Sequence, residues 1–590
     1  MCGIAGIVMR DGSVPDTVIL DKFESALHHR GPDGSGRFLD GAVGLLQTRL
    51  AIIDLLTGDQ PMSARRPNGS LVTLIANAEI YNYRELRKTL SHVSFETNSD
   101  CEPPLHLYLR DGLSFTRYLR GMYAIAIHDP EADRLVLSRD PFGIKPLYYV
   151  QGANYFAFAS EVQALVKAGL LKRDINPLVA KEFLQLGFTT RSNTPLGGAQ
   201  RVLPGETIVV RAGRIIERYK TDALPGIGVL NISEAKAITE VDAVLCDSIG
   251  MHQRADVPYG MFLSGGIDSS VLAALMARLN DKPVQAFTIG FDADTGVPDE
   301  REHARAVAKA AGAEHTEISF TENDFWELLP RVIEVLDDPV ADYAVLPTYK
   351  LAAAARSAGL KVILSGEGGD EILAGYGRYR RAMRPWFLGG RSSHHRGTLD
   401  GFNILIDESK EWRQGLDNVE RSLAKGYSNL QHSQALDCAE WLPNDLLIKL
   451  DRCLMAHGIE GRVPFLDLAF ADFAFPLPDH LKVRHRKGKW LMRRWLENEL
   501  KASQPHTRKR GFTVPIAEWL VGKGHQLGPL VASQSGIETL CKKEATQALF
   551  CTEGKREIQA QWVLLFYALW HQIHVEGRCA EGSAFDVLAA

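Results

Sequence analysis

The second residue of the chain is a cysteine, in the opening MCGIAGIV. Removal of Met1 would leave Cys2 carrying both a thiol and an α-amine. The amine has a reference pKa of about 7.7 to 8.0, so near neutrality much of it can take the thiol proton. Such a residue attacks a carbonyl without help from a histidine. Farther along, FLSGGIDSS (262–270) follows an apolar run and precedes apolar residues at helical spacing. A glycine turn in that position points backbone N–H groups and hydroxyls at an anion, and the helix N-terminus adds partial positive charge. No Gly-Lys-Ser/Thr occurs in the chain, so the turn is not a Walker A loop. A second glycine turn, LSGEGGDE (364–371), also ends an apolar run. Asp268 and Asp370 then stand at the ends of two strands, where they would repel phosphate unless a cation intervened. Magnesium held between them is the expectation.

These residues need a scaffold of two kinds. From Met1 to about Tyr219 the chain reads as short apolar or alternating runs separated by turn residues, among them GIAGIV, SLVTLIANAEIY and GMYAIAIHD. A layered β domain with a few helices follows from that pattern. YKTDALPGIGVLNIS has the mixed Pro, Gly and polar composition of a linker. After it, strands that run into glycine turns alternate with helical spacing, which predicts a mostly parallel sheet covered by helices. Helices dominate from about Asp445 onward. The boundaries so read are 1–218 for the first domain, 219–232 for the linker and 233–590 for the second domain.

With 590 residues, 45% of them hydrophobic, the chain is long enough for two to four domains with real cores. Its formal charge of −5 argues against nucleic acid as a partner and for small molecules. The eight cysteines contain no CxxC pair and no regular framework, so neither a zinc site nor a disulfide scaffold is expected, and a reducing cytoplasm fits. No apolar run reaches the roughly 18 to 20 residues that span a bilayer, and the start lacks a basic n-region and cleavage site, so no membrane association is expected.

Read together, MCGIAGI, HHRGPDG (28–34), TRLAIIDL (48–55), ANAEIYNYREL (76–86), SDCE (99–102) and RDPFGIKPLYY (139–149) resemble the class II glutamine amidotransferases. The resemblance implies an N-terminal-nucleophile sandwich in which Cys2 attacks the side-chain amide of glutamine, giving a thioester, ammonia and then glutamate. Arg49 would hold the substrate carboxylate as a bidentate fork. Glu79 and Asp100 would take its α-ammonium, the Asn77 amide would stabilise the oxyanion, and Leu50, Ile53 and Ala78 would complete the glutamine site. The family usually has glycine where this chain has Ala78, so a positive φ there would be strained by about 1 kcal/mol. Pro103 and Pro104 replace more usual aliphatics, with a local effect on a helix start as the expectation.

In the second half, Ser264 to Ser270 resembles the pyrophosphate loop of ATP pyrophosphatases. LLIKLDRCLMAHGIEGRVPFLD (446–467) and TRKRGFTVPIAEWL (507–520) extend the likeness to asparagine synthetases of the glutamine-hydrolysing type. The fold class implied is α/β plus α+β: the sandwich, then a doubly wound parallel-sheet ATP pyrophosphatase domain with a helical C-terminal part. Carried over, Leu263, Ser264, Gly265, Gly266, Asp268, Ser269, Ser270, Ile289, Ser365 and Gly366 would bind ATP, and Asp268 and Asp370 would hold Mg2+. Glu367 would lie beside the amide-forming centre, and Lys509 would stabilise charge on the transferring phosphate and acyl adenylate. Aspartate would be adenylated by MgATP and then attacked by ammonia arriving through an apolar internal passage.

Three other readings stay open at this point. The amidated carboxylate could be a sugar acid, peptide or secondary-metabolite precursor, because ATP motifs do not report the acceptor pocket. An internal amide former similar to β-lactam synthetases is opposed by the retained Cys2 and by Glu367, and a silent scaffold is opposed by the intact Cys2, Asp268, Asp370 and Lys509. The basic stretches 378–396 and 482–494 read as solvated helix faces, with phosphate attraction as the lesser alternative. The C-terminal IQAQWVLLFYALWHQI reads as an apolar helix packed on the core, with an oligomer contact, as in a homodimer, as the lesser alternative.

Overall fold

The structure is a computed structural model that describes residues 2–291, 300–384, 394–423, 425–507 and 514–590. Its first part holds two six-stranded antiparallel sheets. The strands are β1 (Cys2–Met9), β2 (Gly34–Asp40), β3 (Val43–Arg49), β4 (Met62–Arg65), β5 (Leu71–Ile80), β6 (Gly121–Asp129), β7 (Arg134–Arg139), β8 (Tyr148–Gln151), β9 (Tyr155–Ala159), β10 (Ala199–Arg201), β11 (Glu206–Arg211) and β12 (Arg214–Lys220). One sheet has the order β10-β8-β9-β1-β3-β2 and the other β12-β11-β7-β6-β5-β4.

The alternation of strand side chains builds the layers. Ile4 and Val8 of β1 face a core shared with Ile75, Ala124 and Ala126 of the other sheet. Ala5 and Ile7 face the opposite way, toward Leu20, Phe23 and Leu27 of helix α1 (Thr17–Leu27). The second sheet is covered in turn by α2 (Glu102–Asp111), through Leu105, Leu107 and Tyr108. The result is a helix-sheet-sheet-helix sandwich. Pro103 and Pro104 lie in the first turn of α2, where a missing N–H costs no hydrogen bond.

Residues 221–233 carry no helix or strand. Beyond them a five-stranded parallel sheet has the order β15-β14-β13-β16-β17, from β13 (Tyr259–Phe262), β14 (Gln285–Phe291), β15 (Glu314–Phe320), β16 (Val362–Leu364) and β17 (Glu460–Arg462). The helices used below are α3 (Glu234–His252), α4 (Ile267–Leu279), α5 (Val345–Ser357), α6 (Leu447–Met455), α7 (Trp490–Glu499) and α8 (Lys555–Trp570). The chain moves outward from β13 through β14 to β15, then returns to place β16 on the other side of β13. That reversal opens a crevice at the carboxyl ends of β13 and β16, where open α/β sheets bind ligands. Both glycine turns emerge there. α8 is buried along nearly its whole length, Ala560 to Trp570, so its apolar surface is spent on the core of its own chain.

Candidate active sites

Cys2 opens β1 directly opposite Arg49 of β3, so the sheet register itself sets the thiol beside the arginine. The backbone N of Cys2 donates to Asn77 Oδ1 at 3.1 Å, reaching across from one sheet to the other. Asn77 is fully buried on β5, and its Nδ2 has no hydrogen-bond partner among the described residues. A buried, uncommitted amide donor beside a nucleophile is the group an oxyanion needs. Gln47 is a second one, missed in the sequence: its amide is buried and its hydrogen-bonding reach is toward the Cys2 thiol. Burial pushes that thiol up, opposed by the Leu50 N–H, Gln47 and Arg49. A base is therefore needed to ionise it.

Around this pair the predicted glutamine residues gather. Arg49 donates to Asp59 Oδ1 at 2.7 Å and to the Asp54 carbonyl, while Leu50 and Ile53 are buried next to it in sequence. Ala78 sits in the unbroken ladder of β5, opposite Tyr123, and has no positive φ. The strain expected from alanine at this position is absent because the backbone is extended there. Asp100 accepts the Ile80 N–H at 2.8 Å, and burial lifts its carboxyl to about 6. Glu79 is buried and held well above the usual carboxylate range, with Arg462 opposing the shift.

Arg462 is the residue that ties this site to the rest of the molecule. Its Nη2 lies 2.9 Å from Glu79 Oε2 and its Nε 2.5 Å from Glu460 Oε1. It also donates to the His252 and Arg254 carbonyls at 2.7 Å each. Because β17 pairs with β16, the Arg462 carbonyl accepts the N–H of Ser365 at 2.8 Å, at the start of the second glycine turn. A residue of the glutamine site is thus two side chains and one backbone bond from the phosphate crevice. The guanidinium lies inside GIEGRVPFLD, yet its partner Glu79 is far away in sequence, and no spacing rule connects them.

In the crevice the two glycine turns touch. Gly265 has φ +68, and a Cβ there would meet His303 at 2.8 Å. A Cβ on Gly369 would lie 2.6 Å from Asp268 Oδ1, so glycine is what lets Asp268 rest against the second turn. Ser264 Oγ and Ser269 Oγ are 3.1 Å apart, Gly266 N donates to Ser264 Oγ, and the Ser270 hydroxyl is buried without a partner among the described residues. Ser264, Gly265, Gly266, Glu300, His303 and Arg493 line one cleft. Leu263, directly after β13, and Ile289, within β14, are buried, and a Cβ on Gly366 would lie 3.0 Å from Asp268 Cβ, so the second glycine turn abuts the first.

Asp268 and Asp370 both ion-pair with one ammonium, Lys489 Nζ, the latter at 2.6 Å. Two carboxylates from the turns that follow two separate strands therefore share a single cation position, and two hard oxygens so placed suit Mg2+. Lys489 was missed because the stretch 482–494 reads as a solvated face. In the fold that reading holds for the exposed Arg484, His485 and Arg486 and fails for Lys482, Lys489 and Arg493, which are buried: Lys482 donates to the Phe475 carbonyl, Arg493 to the Gly488 carbonyl, and Lys489 pairs with the distant Asp370. In the other basic stretch, Arg378 is paired with buried Asp437. Glu367 follows Gly366 in the second turn, 3.6 Å from Lys449 Nζ, and its carboxyl is raised by burial. Lys509 lies outside the described residues.

Comparison with known proteins places these features in context. The chain matches the asparagine synthase family over residues 240–572 and the glutamine amidotransferase domain family over residues 1–220. A curated relative, asparagine synthetase [glutamine-hydrolyzing] 1 of Bacillus subtilis, is 30% identical and aligns over 98% of both chains. A putative asparagine synthetase [glutamine-hydrolyzing] of Mycobacterium bovis is 32% identical over 98% of each chain. Among solved structures, a glutamine phosphoribosylpyrophosphate amidotransferase of B. subtilis aligns at 16% identity and a TM-score of 0.29, over 54% of this chain and 81% of that one.

Proposed function

The chain belongs to the glutamine-hydrolysing asparagine synthetases, and on that premise we propose how its residues divide the work. It is an ATP-dependent ligase that takes its amido nitrogen from glutamine and transfers it to aspartate. Residues 1–218 form the glutaminase, 219–232 the linker and 233–590 the synthetase. Cys2, freed of Met1, attacks the glutamine amide while its α-amine takes the thiol proton. The Asn77 Nδ2 donor meets the oxyanion, Arg49 takes the substrate carboxylate in place of Asp59, and Glu79 with Asp100 receives the α-ammonium.

In the crevice, the backbone of Ser264 to Gly266 and the hydroxyls of Ser269 and Ser270 cradle the pyrophosphate, while Leu263 and Ile289 lie against the nucleotide. Asp268 and Asp370 would hold Mg2+, whose charge offsets that of the phosphates. Lys489 pairs with the same carboxylates and offsets their mutual repulsion. Lys509 keeps the role its context implies, stabilising charge on the transferring phosphate. Adenylation of the aspartate β-carboxylate releases pyrophosphate. Ammonia attacks the acyl adenylate, with Glu367 beside the new bond, and asparagine and AMP leave.

The observation that carries this reading is the join between the two sites, from Cys2 and Asn77 through Glu79 to Arg462 and on to Ser365. The relatives aligned along 98% of the chain disfavour an acceptor other than aspartate. The test is pyrophosphate release and asparagine formation from MgATP and aspartate, with glutamine or ammonium chloride as nitrogen source. Cys2→Ala should abolish the glutamine-driven reaction and spare the ammonia-driven one; loss of both would sink the two-site scheme. We further propose a cytoplasmic homodimer, acting on small molecules alone. No described helix is long and apolar enough to cross a membrane. Light scattering would decide the assembly.

A further inference from the structure

The loop that follows β3 folds back over Arg49, and it is held from outside its own half of the chain. Its Asp54 has φ +54, a left-handed conformation that residues with a Cβ adopt at a cost. Such a conformation persists only where its surroundings fix it. Here every polar group of Asp54 is committed. Its carbonyl accepts from Arg49 Nη2, its carboxylate accepts the Thr57 N–H at 3.0 Å and the Asn98 N–H at 2.8 Å, and its own N–H donates to Asp256 Oδ2 at 2.8 Å. Gly58 lets the turn close on the arginine, since a Cβ there would lie 2.6 Å from Arg49 Nη2. The tip of the loop gives no apolar support of its own: Leu55 and Leu56 are exposed.

Asp256 belongs to the other half. It lies between the end of α3 and the start of β13, the strand whose far end runs into Ser264. Its N–H donates to the Ile52 carbonyl at 2.9 Å, so Asp256 and the loop exchange two hydrogen bonds. The segment that presents it is anchored independently. Arg254 donates to both oxygens of Glu85 at 2.8 Å and to the Tyr81 carbonyl, and its own carbonyl accepts from Arg462, the partner of Glu79. Arg254 to Asp256 therefore support both ends of the glutamine site, the ammonium end through Arg462 and Glu79 and the carboxylate end through Asp54 and Arg49. Lys361, immediately before β16, adds a further hold: its Nζ is 2.7 Å from Asp33 Oδ2, which also accepts the Ala51 N–H.

We infer that Asp256 is a positioning residue of the glutaminase, supplied by the synthetase half. It fixes Asp54 in the conformation that aims its carbonyl at Arg49. That carbonyl holds one side of the guanidinium, and the side now on Asp59, whose side chain is 81% exposed, is left for the glutamine carboxylate. Asp256 acts through Asp54 and Arg49 and does not itself touch glutamine. The inference rests on the reading that Arg49 takes the substrate carboxylate, and it adds that the first half alone lacks one support of its own substrate site.

The experiment uses the full-length chain with Asp256→Ala and Asp256→Asn. Asp256 is exposed, so neither substitution opens a cavity. Alanine removes the acceptor of the Asp54 N–H, and the glutamine KM should rise about threefold to tenfold, the worth of one hydrogen bond, with glutaminase kcat kept within about twofold. Glutamate, which presents the same α-carboxylate, should inhibit more weakly by the same factor. Alkylation of Cys2 by iodoacetamide without glutamine, followed by mass spectrometry, should keep its rate. Asparagine retains an acceptor oxygen, so Asp256→Asn should restore most of the KM. Pyrophosphate release with MgATP, aspartate and ammonium chloride should be unchanged in both variants. An unchanged glutamine KM in Asp256→Ala, or an Asp256→Asn enzyme as impaired as Asp256→Ala, would overturn the proposal. An equal loss of the ammonia-driven reaction would also overturn it, because that marks a general disturbance of the fold. Absence of glutamate release from the unaltered enzyme, or its persistence in Cys2→Ala, would instead overturn the glutaminase reading beneath it.

Discussion

Asn77→Ala separates the two chemistries most cleanly. Asn77 makes one contact through Oδ1, to the Cys2 backbone N at 3.1 Å, and offers one uncommitted donor, Nδ2, in a fully buried position. Loss of an oxyanion donor costs about 2.7 to 4 kcal/mol of transition-state stabilisation, and loss of the bond to the nucleophile's own nitrogen about 0.5 to 1.5 kcal/mol more. The sum, about 3 to 5 kcal/mol, corresponds to roughly a 10²- to 10⁴-fold drop in glutaminase kcat at 1.36 kcal/mol per decade. The strand is held by its backbone ladder to β6, from Thr73 to Ile80, which alanine leaves intact. Glutamate release at saturating glutamine and asparagine formation from ammonium chloride are measured on one preparation. The first should collapse while the second stays within about twofold. A glutaminase loss below tenfold, or a parallel loss of both activities, would refute the assignment of Asn77 to the oxyanion.

Three other outcomes follow from the same geometry. Lys489→Met leaves Asp268 and Asp370 facing each other; two unit charges about 5 Å apart repel by about 3 kcal/mol at an effective dielectric of 20, so kcat/KM for ATP should fall about a hundredfold. Raised magnesium should recover part of that loss, and an unaltered magnesium dependence would contradict the shared cation position. Asp100, with its buried carboxyl lifted to about 6, must ionise to receive an ammonium, so kcat/KM for glutamine should climb as pH rises through about 6. The same raised value means the fold prefers the protonated form, so this group's contribution to stability is present below about pH 4 and is lost as pH rises through about 6. Asp100→Asn should remove the acidic limb; a limb that persists belongs to another group. Ala78→Gly should change glutaminase kcat by less than about twofold and lower stability by about 0.5 to 1 kcal/mol, because the position is extended strand. A large gain in activity would mean that the glycine conformation is needed after all.

The legible parts of this molecule are those whose chemistry is written in contiguous residues. Cys2 behind Met1, Ser264 to Ser270 and Ser365 to Asp370 each bring their own backbone geometry, so strand, turn and helix start could be read directly from each. The alternation in GIAGIV and GMYAIAIHD likewise indicated a layered β domain, which the family resemblance narrowed to a sandwich. What could not be read were side chains whose meaning depends on distant partners. Lys489 is separated by more than a hundred residues from both Asp268 and Asp370, and a lysine among arginines looks solvated until those partners close on it. Arg462 and Glu79 pose the same difficulty across two domains. Ala78 shows the reverse error: a departure from a familiar motif suggested strain, and only the observed φ could tell that the strand absorbs it.

The contacts between the two halves show what such long-range pairs accomplish. Arg30, fully buried, donates to Glu161 and to both oxygens of Asp451, and its Nε lies 3.3 Å from the Cys2 carbonyl. Arg201 grips Asp338, and Arg452, held by Asp337 of its own half, pairs across with Glu161. Desolvation cancels much of the attraction in such buried pairs, so they add little net stability over an apolar contact of the same volume. What they do impose is a single relative placement, because a shift of either half would leave several charges buried and unpaired at about 3 to 5 kcal/mol each. An apolar seam alone tolerates sliding. For a reaction in which ammonia made beside Cys2 must reach an adenylate in the other half without meeting water, fixed register is the property that matters. Leu50, Ile53, Met122 and Ile144 of the first half and Leu454 and Val463 of the second belong to one continuous buried apolar core, through which we propose that the ammonia passes, with the charged pairs around Arg30 and Arg452 fixing the two halves on either side of it.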